Sequence, residues 1–109
     1  SVMIVNYRMI KVLSEAVGTK MFVFIQPTPW FGAYSSEVDS SFHFGSLVEA
    51  RATYDKLVEA SQNDLAGLLI DLTSELSNFD TPYLDNVHYS DAANELLALK
   101  ISETILRAF

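Results

Sequence analysis

The 109-residue sequence has no cysteine, only two histidines, three prolines and four glycines. Without a thiol there is no disulfide framework, no thiolate metal site and no cysteine nucleophile, and cysteine usage leaves the compartment open. Positive charge is also scarce. Seven Lys and Arg stand against fourteen Asp and Glu, a net charge of −7 with no basic run, which disfavours nucleic acid and anionic membrane surfaces as partners. No apolar run reaches the ~18 residues that a bilayer span needs, and the opening "SVMIVNYR" has neither the layout nor the cleavage site of a signal peptide. A first residue of serine raises the expectation of a processed, tagged or truncated start.

What is present is the composition of a folded chain: half the residues are hydrophobic and 19% are charged, at a length that accommodates one domain at most. Between Ile4 and Val17 the apolar residues Tyr7, Ile10, Leu13 and Val17 recur at helical spacing, and Gly18 is placed to end the helix. The run "MFVFIQP" is apolar on consecutive positions and stops at Pro27, the pattern of a strand buried on both faces. Ser46 is placed to cap a helix running to about Gln62, with Glu49 three residues on completing a capping-box pattern and Leu47, Ala50, Tyr54, Leu57 and Val58 as its apolar stripe. "AGLLIDLT" reads as a second buried strand. Ser90 or Asp91 begins a last helix with Leu96, Leu97, Ile101 and Ile105 on one face.

This order is a βαβ unit with a helix on either side, hence an α/β domain with parallel strands. Two strands buried on both faces cannot hide their own sheet edges, so further strands are expected from elsewhere, and self-association or pairing with another chain follows.

The chemistry-bearing candidates are few. Asp85 and His88 are the only carboxylate and imidazole with local spacing suited to general-base work: a carboxylate on one ring nitrogen fixes the tautomer and leaves the other nitrogen to take a proton from a hydroxyl. The bland alternative is a turn capped by Asp85 beside a solvated His88. The segment from Thr28 to Gly45 is long enough for a lid or binding loop, and its Trp30, Phe31 and Tyr34 follow the carboxyl end of a parallel strand, where ligands bind in open α/β sheets. A loop packing on its own core explains these aromatics equally well. His43, between two phenylalanines, fits ring packing better than substrate contact. Asp71 and Glu75 lack a third ligand at suitable spacing, so no metal site is proposed and no cofactor is implied.

The stretch "YLDNVHYSDAANELLALKI" resembles the C-terminal block of the SGNH (GDSL-type) hydrolases, in which an Asp-x-x-His loop precedes a small polar residue, a Gly-Asn-like pair and an apolar helix. Upstream, "GTKMFVFIQPTPWF" looks like that family's fourth strand and following loop, and "GLLIDLTSEL" like its fifth, so the resemblance covers nearly the whole chain. It implies a partial flavodoxin-like fold lacking its N-terminal strands, with residues 1–109 as the C-terminal portion of a single domain. It also implies ester hydrolysis, with His88 as general base and Asp85 as the acid that orients it. The departures are Ala93, where glycine is common and a mild distortion of the helix start is expected, and the absence of the Gly-Asp-Ser nucleophile block and of the glycine and asparagine that complete the oxyanion hole. Gly45-Ser46 lacks the aspartate and reads as a helix cap. The expected activity is therefore hydrolysis of a small-molecule ester once a serine is supplied from outside these residues. The alternative is a non-catalytic relative acting as a binding or structural module.

Overall fold

Five elements alternate along the chain: α1 (Val2–Ala16), β1 (Val23–Ile25), α2 (Leu47–Ser61), β2 (Leu69–Asp71) and α3 (Asp91–Arg107). The structure is a computed structural model, and it describes residues 2–31, 46–79, 82–84 and 88–109.

The helix boundaries follow from local chemistry. Gly18 adopts φ 71°; its N–H donates to the Glu15 carbonyl at 3.2 Å while Thr19 N–H reaches the Ser14 carbonyl at 2.9 Å. This paired arrangement satisfies carbonyls the helix end would leave bare, and it needs a left-handed residue that glycine supplies without steric cost. At the start of α2 the Ser46 hydroxyl accepts from Glu49 N–H, and at the start of α3 the Ser90 hydroxyl accepts from Ala93 N–H. The distortion expected at Ala93 is not found. Ser90 has ordinary extended cap geometry, and Ala93 is fully buried in the first turn, where its small side chain packs with Leu72, Leu76 and Leu97.

β1 and β2 pair in parallel with Val23 opposite Leu69, Phe24 opposite Ile70 and Ile25 opposite Asp71. Period-two alternation sends successive side chains to opposite faces. Val23, Ile25 and Leu69 join Ile4, Leu57 and Ala60 on the side of α1 and α2, whereas Phe24 and Ile70 join Ala93 and Leu97 on the side of α3. The result is a mixed α/β arrangement, helices on both faces of a parallel pair, with α2 as the crossover. Only three residues of each strand pair, far fewer than the apolar runs, and no third strand is present among the described residues. A strand extends only as far as a neighbour meets its N–H and C=O groups.

The apolar stripe expected on α1 is half right. Ile4, Tyr7 and Ile10 face the core, but Leu13 and Val17 are exposed. Ile105 at the end of α3 is likewise exposed, past the reach of the core. No described helix is long and apolar enough to cross a membrane.

Candidate active site

The carboxyl end of β1 runs directly into a buried stretch, Pro27 to Trp30, so the chain cannot leave the sheet freely at that rim. Trp30 is held on α2. Its ring meets Tyr54 edge-on with centroids 4.6 Å apart, Phe31 lies 5.2 Å from the same Tyr54 ring, and Arg51 Nε donates to the Trp30 carbonyl at 2.8 Å. Trp30 is thus a buried wall of the rim, and Phe31, half-buried, is its more accessible neighbour. These contacts give the expected aromatics a packing role; a substrate role falls to whatever surface Phe31 leaves open.

A second segment, around His88, reaches this rim through Tyr89. Tyr83 and Tyr89 form an antiparallel bridge, with their rings 5.7 Å apart. On either side of it Leu84 N–H donates to the His88 carbonyl at 2.8 Å and Ser90 N–H to the Pro82 carbonyl at 2.8 Å. These bonds hold residues 82–84 against residues 88–90 through the backbone. The Tyr89 side chain ties this segment to the sheet: its phenol donates to the Pro27 carbonyl at 2.5 Å, across 62 residues of sequence. Because neighbours in an extended segment face opposite ways, the inward ring of Tyr89 leaves the adjacent His88 exposed at the rim. Asp85, Tyr34 and His43 lie outside the described residues. The structure therefore places the Tyr89 phenol against the Pro27 end of the segment that carries Trp30 and Phe31, with His88 the residue before it in the chain.

Burial governs the electrostatics of this end. The Tyr89 phenol is pushed up to about 12, first by burial and then by Tyr54. Tyr54 is raised by burial and then by Tyr7. Both phenols stay neutral and able to donate throughout the ordinary pH range. Thr28 is the anomaly: it is 5% exposed, and its hydroxyl has no hydrogen-bond partner among the described residues. An unpaired buried hydroxyl costs about 1–3 kcal/mol, so such groups call for a partner or a reason.

At the end of β2, the Asp71 carboxylate is occupied by Thr73, accepting from its N–H at 2.8 Å and its hydroxyl at 2.6 Å. That makes it a turn-former. Glu75 lies 3.9 Å from Lys100. Among the described residues no three His, Asp or Glu side chains come together in a way that could hold a metal ion. A cleft of about 450 Å³ between α1 and α2 is floored by Ile4 and Ala60 and bordered by Arg8, Lys56, Glu59 and Asp64; none of its lining residues belongs to the rim that carries His88.

Sequence patterns did not single out Tyr89, Thr28 or Arg51. Tyr89 left one usable signal, its place immediately after the histidine of an Asp-x-x-His loop, where alternation turns it inward. No protein-family model, curated protein or solved structure matches the chain.

Proposed function

We propose that this chain supplies the acid–base half of an SGNH-type serine hydrolase acting on carboxylic esters, as part of a flavodoxin-like domain whose remaining strands and nucleophilic serine lie outside these 109 residues. The observation that carries the proposal is the Tyr89 to Pro27 bond, which fastens the Asp-x-x-His loop to the carboxyl end of a parallel strand, the end at which open α/β sheets bind ligands.

In this reading His88 takes the proton from the serine hydroxyl as its oxygen adds to the ester carbonyl. The same proton then passes to the departing alkoxide, which leaves as the alcohol, and an acyl-enzyme remains. A water molecule repeats the sequence: His88 accepts its proton, the acyl–serine bond breaks, the carboxylic acid departs and the serine recovers its hydrogen. Asp85 holds the imidazole in the productive tautomer and stabilises the imidazolium. Phe31, with Tyr34, would border the acyl or alcohol portion, while Trp30 backs that surface from beneath. The resemblance in the Asp-x-x-His block extends to enzymes acting on esters of lipids, sugars and small alcohols, and the aromatic loop is compatible with each.

A second reading, a non-catalytic module that works by association, is favoured by one observation: the outer side of α1 is apolar and exposed. The two readings separate on mixing the chain with a separately produced segment carrying the Gly-Asp-Ser block of such a hydrolase and following p-nitrophenyl butyrate. The enzyme reading expects turnover that requires both pieces and is lost in His88→Ala, with Asp85→Asn leaving the fold intact and lowering the rate by up to about 10⁴. Turnover unaffected by His88→Ala would contradict it.

A further inference from the structure

We propose that α1 is the interface of a homodimer, pairing antiparallel with α1 of a second copy through a seam of Val5, Met9, Val12 and Ala16. Helix α1 has two apolar faces. One carries Ile4, Tyr7 and Ile10 into the core. The opposite one presents Val2, Val5, Met9, Val12 and Ala16, all exposed, at successive spacings of three, four, three and four, which is the alternation that keeps a stripe facing a partner helix. Leu13 and Val17 flank the stripe and are 61% and 74% exposed. An ordinary solvent-facing helix side would be polar.

Two arguments identify the occupant as another copy of this chain. The first is area. Val2, Val5, Met9, Val12, Leu13 and Val17 together leave on the order of 600 Å² of mostly apolar surface in the open, at the upper limit for one patch on a monomer. That approaches the roughly 800 Å² per partner of a standard interface. The second is charge. An antiparallel register that sets Met9 against the partner's Val12 sets Val5 against the partner's Ala16. The same register places Arg8 beside the partner's Glu15, and by symmetry Glu15 beside the partner's Arg8. Both ion pairs across the seam are attractive, and the helix dipoles run in opposite directions, which adds in the same sense. Parallel pairing would form neither ion pair and would align like dipole ends. Within one copy Arg8 contacts Asp64 at 2.6 Å and Glu15 contacts Lys11 at 3.2 Å, both in largely exposed pairs that cost little to share.

Sedimentation equilibrium of the full chain across the micromolar range tests this. The expected result is a monomer–dimer equilibrium. Met9→Glu, at a position 58% exposed in the single copy, should raise the dissociation constant at least about thirty-fold with an unchanged far-UV circular dichroism spectrum. Glu15→Arg should weaken the dimer by setting two arginines against each other, and adding Arg8→Glu should restore it. A chain that stays monomeric throughout overturns the proposal. So does a dimer that Met9→Glu leaves intact, since its interface would then lie elsewhere, for example along the open edge of β1.

Discussion

Replacing Tyr89 by phenylalanine removes one oxygen atom and, with it, the hydrogen bond that ties the His88 segment to the Pro27 carbonyl just past β1. The net value of such a hydrogen bond is about 0.5–1.5 kcal/mol, and leaving a buried carbonyl without its donor raises the cost toward 1–3 kcal/mol. Pro27 is fully buried, so a loss of roughly 1.5–2 kcal/mol is expected near pH 7, lowering Tm by about 6–8 °C for a chain of this size. The pH dependence is sharper still. The phenol rises from 10.0 to about 12 on folding, by burial and then by Tyr54. The neutral phenol is therefore the form the fold prefers. Its contribution is complete below pH 10 and is lost as the pH rises from 10 through 12. At 1.36 kcal/mol per unit the ceiling is about 2.7 kcal/mol, and because the ring is only half-buried, solvent screening reduces this to about 1 kcal/mol. The phenylalanine variant has no such loss, so the gap between the two proteins should narrow by about 1 kcal/mol between pH 10 and pH 12. Thermal unfolding followed by near-UV circular dichroism at a series of pH values measures both effects, and the remaining tyrosines and lysines cancel in the comparison. Equal melting temperatures at pH 7, or a gap that stays constant through pH 12, would refute the tether.

Thr28→Val should stabilise the protein by about 1 kcal/mol, because it removes a buried hydroxyl with no partner among the described residues while keeping the branched shape; a denaturant titration showing a loss of that size instead would mean the hydroxyl is satisfied. The purified chain alone should hydrolyse p-nitrophenyl acetate only weakly, since an imidazole and a carboxylate without a nucleophile offer limited base catalysis. Saturable turnover that survives His88→Ala would place the active site elsewhere.

Much of the scaffold was legible from residues that act locally. Ser46 with Glu49, Ser90, and Gly18 mark three helix ends because the groups they satisfy lie within a few residues. The consecutive apolar runs foretold cover on both faces of the strands, and Phe24 and Ile70 are partly buried on the side opposite to Val23, Ile25 and Leu69. What resisted reading depends on partners distant in the chain. "MFVFIQP" looks like a seven-residue strand, yet Val23–Ile25 alone are paired, since pairing length is set by the neighbour. Leu13 and Val17 extend the helical period of Tyr7 and Ile10 but outrun the surface that would cover them. The burial of Trp30 comes from Tyr54, 24 positions away, and the fastening of the His88 loop from Pro27, 62 positions away. No periodicity announces either contact. The Asp-x-x-His spacing drew attention to the segment around His88, but Tyr89, the residue that anchors that segment to the sheet, carried no motif.

The account rests most heavily on the proposed role of Asp85 in orienting His88 for proton transfer. Nitrogen-15 NMR of the imidazole at neutral pH, in the full chain and in Asp85→Asn, measures this directly because the two tautomers have distinct shift patterns. The expected result is a dominant tautomer protonated at Nδ1 in the native sequence, where the carboxylate accepts that hydrogen, and a shift toward the Nε2-protonated form once the carboxylate becomes an amide. Identical imidazole spectra in the two proteins would show that Asp85 does not orient His88, and would leave the loop with a structural role only.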